Sequence, residues 1–183
     1  MLPSEPRRID PRRALRRLRR DRRGSAAIEF AIVAPLFFGL LFVIFELGLA
    51  FFADQVLENG LQQSARQMFT HQAYDTNLTK EAFAEDLCGR VKLLMSCSKL
   101  RVNVSVTSDG ETISFLSPVD ADGKFVDNFT YRNPQPRDTV VVSAFYPWPA
   151  VIVGLGFNIA NFGGANGGER LLTSTAAFRV EPK

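Results

Sequence analysis

An arginine-rich arm runs straight into an apolar segment with one carboxylate near its start, and this junction limits the possible folds more than any other feature. Residues 7–30 contain ten arginines and then Gly24-Ser25-Ala26-Ala27-Ile28-Glu29-Phe30. From Phe30 to Ala53 the 24 residues carry one charge, Glu46. As a helix rising about 1.5 Å per residue, this stretch reaches roughly 36 Å, enough to cross a hydrocarbon core of about 30 Å with some tilt. A carboxylate inside such a segment costs roughly 2.5–3.5 kcal/mol on insertion scales, so Glu29 is expected to have a function.

The total charge of +3 conceals a division along the chain. Residues 1–23 hold ten arginines against Glu5, Asp10 and Asp21, a net of +7, which leaves −4 for the remainder. Positive charge ahead of a spanning helix retains that side in the cytoplasm, so the arm is expected inside and the C-terminal part outside. Nucleic acid is not expected as a partner, because the arm has no aromatic side chains for stacking on bases. A cleaved secretory signal fits poorly. Its apolar region is typically about 7–15 residues and ends at small side chains, whereas this run is longer and ends Phe51-Phe52-Ala53.

Periodicity predicts one long helix over 25–72. Beyond the membrane run, Leu47, Ala50, Asp54, Leu57, Leu61, Ala65 and Met68 step by three or four residues, with Phe51 and Phe69 beside them. Pro35 lacks an amide hydrogen and should kink or loosen this helix. Ala27, Ala31 and Gly39 give it a smooth face. A second helix is predicted from an N-cap at Thr79 to about Met95, burying Phe83, Leu87, Val91 and Leu94. From Leu100 the period becomes two, through Val102, Val104 and Val106. A turn at Asp109-Gly110 and a return through Ile113 and Phe115 suggest a hairpin. Further strands are expected at 138–146 and 171–180, with a break at Pro147-Trp148-Pro149 and a flexible loop at Gly163–Gly168. The predicted class is α+β: a long N-terminal helix, transmembrane over 25–53 and amphipathic over 54–72, packed on an antiparallel sheet in a head spanning 73–183.

Gly24-Ser25-Ala26-Ala27-Ile28-Glu29-Phe30 resembles the processing site of type IV prepilin-like proteins, and the continuation Phe30-Ala31-Ile32-Val33-Ala34-Pro35-Leu36 resembles the TadE-like pseudopilins of the Flp/Tad branch. Cys88, Cys97 with Ser98–Val102, and the ending Ala176–Lys183 are similar to the same family, although Val180 stands where it often has Asn. The resemblance implies a pilin-like fold in the bacterial inner membrane, single-pass, with the head in the periplasm. It also implies a basic leader, residues 1–24, cut by a prepilin peptidase between Gly24 and Ser25. The implied partners are other pilus subunits and the Tad secretion and assembly machinery. Glu29, fifth in the shortened chain and followed by Phe30, would pair its carboxylate with the new ammonium group of a neighbouring subunit. An uncleaved single-span protein whose head binds a periplasmic partner is the alternative.

Cys88 and Cys97 are the two cysteines. Outside the cytoplasm such a pair reads as a disulfide, with two buried thiols as the alternative. His71 is the sole histidine, at the end of the long helix, so a Ser-His-Asp or Cys-His arrangement has little to draw on. Neither an enzyme nor a bound cofactor or metal is expected. Asp120-Ala121-Asp122-Gly123 with Asp127 reads as an acidic turn, since the remaining spacing of a calcium loop is missing. The sequons at Asn77 and Asn128 mean little if the chain is bacterial, as the resemblance implies.

Overall fold

The computed structural model describes residues 24–69, 78–108, 117–126, 129–150, 160–162 and 168–181. Helix α1 spans Ser25–Phe69 and helix α2 spans Lys80–Val91. A short 3-10 turn at Cys97–Lys99 leads into strand β1, Arg101–Thr107, followed by β2, Thr139–Pro149, and β3, Glu169–Arg179. The chain divides into two compact units, Met1–Val43 and Ile44–Lys183. The α+β expectation holds: a long apolar helix is followed by an antiparallel sheet ordered β1-β2-β3.

Helix α1 runs unbroken through Pro35. Its side chains change character along its length. Leu36 is 79% exposed, and Phe30, Ile32 and Phe42 are also open, whereas Ala53, Leu57, Leu61 and Met68 are fully buried. Thr79 caps α2 as the sequence predicts, its hydroxyl accepting from the Ala82 amide at 3.2 Å. Helix α2 stops at Val91 rather than Met95. The amides of Leu94 and Met95 both donate to the Val91 carbonyl, which tightens the chain into a turn.

Phe83, Leu87 and Val91 from α2 meet Leu57, Leu61 and Met68 from α1 over one sheet face, formed by Val102, Val104, Val140, Val142, Ala144 and Leu172. Each fully buried side chain of this size contributes about 1.5–3 kcal/mol relative to exposure. The helices approach closely at Gly60, where an added Cβ would lie 3.0 Å from Val91 Cγ1. Contacts also fix the directions of the elements. Gly60 lies against Val91 and Ser64 against Asp86, so α2 runs antiparallel to α1. Arg170 lies over Phe51 and Phe178 packs on Phe69, so β3 runs alongside α1. The lengths agree: about 27 Å of helix and about 26 Å of strand separate those two contacts.

The sheet departs from the expected pattern in two places. β1 forms its ladder with β2, pairing Val104 with Val142, while the expected return through Ile113 and Phe115 lies outside the described residues. The expected break at Pro147-Trp148-Pro149 is instead the end of β2, which pairs with β3 through Pro149 and Glu169. The Ala150 amide donates to Gly168 on the β3 side. Period-two alternation therefore turns the missing amides of Pro147 and Pro149 the other way, beyond the end of β1, which stops opposite Phe145.

Candidate functional site

Gly24 immediately precedes α1, and Ser25 is its first residue; both are exposed. A Cβ built on Gly24 would meet nothing within 4 Å. Packing in this fold therefore does not demand glycine there. Glu29 and Phe30 follow one turn later on the same exposed segment, Phe30 being 66% open. Pro35 leaves the Ala31 carbonyl without its usual amide donor. Ala27 and Ala31 are exposed and Gly39 half-exposed, with space around the glycine.

The N-terminal part of α1 is long and apolar enough to cross a membrane, and none of its apolar window is buried. A core helix of a soluble protein would bury that window against its own chain.

Cys88 and Cys97 are joined as a disulfide, their Cα atoms 5.5 Å apart. Closing so short a loop stabilises by about 2–3 kcal/mol in the chain-entropy view. It ties the last turn of α2 to the 3-10 turn before β1.

A polar bridge between α1 and α2 has only a faint sequence signal. Ser64, fully buried, interrupts the apolar stripe and donates to Asp86 Oδ2 at 2.7 Å. Arg90 donates to both Asp86 oxygens, at 3.0 and 3.2 Å, and to Gln63 Oε1 at 2.8 Å. Burial pushes the Asp86 carboxyl up. The hydrogen bonds from Arg90 and Ser64 and the Arg90 charge outweigh burial and hold it below the ordinary value. Asn103 is likewise buried on a strand position expected to face water. Its Oδ1 accepts from the amide and hydroxyl of Thr130, which pins that segment to the back of the sheet. There Phe125, Phe129, Phe145 and Phe162 form a second apolar cluster.

Asp120 closes an ordinary turn: its Oδ1 accepts from the amides of Asp122 and Lys124, and Gly123 takes a positive φ of 76°. Among the described residues no cluster of His, Cys, Asp and Glu is arranged to hold a metal ion. Asp127, His71, Asn77 and Asn128 lie outside the described residues.

Residues 24–66 match the family described as TadE-like protein. The matched segment begins at Gly24 and ends inside α1, so it covers the exposed junction, the apolar span and most of the amphipathic part of the helix. The cysteine pair and the C-terminal block lie beyond it. Over that segment the chain is similar to TadE-like proteins, and its apolar helix fits a single-pass membrane protein. No curated protein and no solved structure matches the chain.

Proposed function

We propose that the protein is a minor pseudopilin, a structural subunit needed to assemble the Flp/Tad pilus and hence for surface adherence. The reading rests above all on the TadE-like match that starts at Gly24, the residue that stands exposed at the head of α1. Residues 1–24 form a cytoplasmic leader that a prepilin peptidase removes. Residues 25–53 anchor the chain in the inner membrane, residues 54–72 continue the helix outward, and residues 73–183 complete a periplasmic head. Cleavage leaves a charged ammonium on Ser25. In a bundle of such helices, the Glu29 carboxylate of one subunit pairs with the ammonium of another. Two charges in a low-dielectric bundle are tolerated only as a pair, so the pairing selects one axial register. A head of more than 100 residues suits a minor subunit better than a densely packed filament.

Glycine before the cut admits the extended backbone that a protease holds. Since the folded chain has room for a side chain at Gly24, a Gly24→Val variant should insert and fold normally yet stay uncut. Mass spectrometry of membrane-extracted protein should show wild type lacking residues 1–24 and the variant at full length. Wild type retaining its arginine arm would favour the uncleaved single-span alternative. Normal shortening of the variant would move the cut elsewhere.

A further inference from the structure

The antiparallel course of α2 returns the chain toward the apolar end of α1, and several exposed or charged side chains gather at that end of the head. Val91 lies level with Gly60. The following turn leads to Lys99, whose Nζ bonds Glu169 at 2.8 Å, next to Arg170 over the Phe51 ring at 5.8 Å. The turn is held rigidly, because the Ser96 amide donates to the Tyr146 hydroxyl at 3.0 Å and the disulfide closes behind it. On this turn Leu93 is 92% exposed, beside exposed Lys92.

The level of these side chains follows from the helix. The apolar run ends at Ala53, and headgroups extend about 5–7 Å beyond the hydrocarbon, a depth covered by about four helical residues. Residues 54–57 therefore fall within the headgroup layer, with Phe51 and Arg170 at its inner edge and the turn after Val91 descending toward it from its outer edge. Phe51 and half-buried Trp148 suit that layer as apolar or amphipathic rings, and Lys92 and Arg170, the latter also near the Asp54 carboxylate, suit its phosphates. We propose that Lys92, Leu93, Trp148 and Arg170 dock the head on the outer surface of the membrane, with Leu93 entering the headgroup region and the two cations binding phospholipid phosphate. This deepens the proposed topology, on which it rests, but not the cleavage. A docked head would hold the subunit in one orientation before it leaves the bilayer.

Trp148 is the sole tryptophan, so the probe can be moved to the turn. The full chain carrying Trp148→Phe and Leu93→Trp is reconstituted in vesicles containing phosphatidylglycerol, and outward placement of the head is checked by protease access. Emission should be blue-shifted relative to water-exposed tryptophan and quenched by lipid bearing a headgroup nitroxide. Lys92→Gln and Arg170→Gln should each lower the docked-to-undocked ratio by about fivefold, and raised salt should act in the same direction. A water-like, unquenched spectrum with the head correctly outside would overturn docking while leaving the pseudopilin reading intact. Quenching indifferent to both substitutions would equally reject phosphate binding. A head on the arm's side of the membrane would overturn both.

Discussion

Asp86 accepts hydrogen bonds from Ser64 and Arg90 across the α1–α2 contact, whereas Glu29 stands exposed on the matched segment of α1. Removing the first should disturb folding, and removing the second should leave the head intact. Under the assembly mechanism, Glu29 matters only when a neighbouring ammonium lies within a helix bundle. Leaving that buried ammonium without its partner costs about 3–5 kcal/mol. Glu29→Ala should thus be inserted, cut and oxidised at Cys88–Cys97 yet form no pili, and Glu29→Asp, one methylene shorter, should be intermediate. Complementation of a deletion strain, scoring surface pili beside immunoblots for processing, checks this. Wild-type piliation by Glu29→Ala would reduce Glu29 to an interfacial carboxylate.

Helices α1 and α2 approach closely where α1 offers Gly60 to α2. An added methyl there would press on Val91 Cγ1 at 3.0 Å and Leu87 Cδ1 at 3.3 Å. Alanine also gains about 1 kcal/mol of helix propensity over glycine, so Gly60→Ala should be close to neutral. Gly60→Leu has the same propensity gain but must separate the helices, and overpacking of this kind costs about 1–3 kcal/mol. Thermal melts of the full chain in detergent should show a clear loss for leucine alone. The helical stripe of Leu57, Leu61, Ala65 and Met68 was legible because three- and four-residue spacing reports a buried face directly. Asn103 and the Pro147–Pro149 strand end were not legible. Their placement depends on what covers the back of the sheet and where β1 ends, which are non-local facts. The TadE-like resemblance of the segment that starts at Gly24 was legible for the opposite reason, since its signal is local and chemical and owes nothing to packing.

At the scale of the whole molecule, the core of the Ile44–Lys183 unit draws on α1 mainly from Ala53 onward. A fragment of residues 53–183 should therefore be soluble, oxidised and cooperative in melting. Its stability should fall at both pH extremes. The Asp86 carboxyl is held below its ordinary value of 3.8. Its contribution is therefore present above about pH 4 and is lost as pH falls through the lower folded value. Tyr131 has the opposite sign. Burial, and then the Glu81 charge, push its hydroxyl from 10.0 up to about 12, and it donates to the Leu78 carbonyl at 2.9 Å. That stabilisation is complete below pH 10 and disappears as pH rises through about 12. Asp54, raised by burial and then by Glu58, opposes Asp86 on the acid side, so an Asp54→Asn background isolates the Asp86 limb. In that background Asp86→Asn should flatten the acid limb, and Tyr131→Phe should flatten the alkaline one while lowering the plateau by about 1 kcal/mol for the lost hydrogen bond. Urea titrations across pH measure each limb separately. An acid limb unchanged by Asp86→Asn would mean that the Ser64–Asp86–Arg90 bridge does not stabilise the α1–α2 pair through its charge.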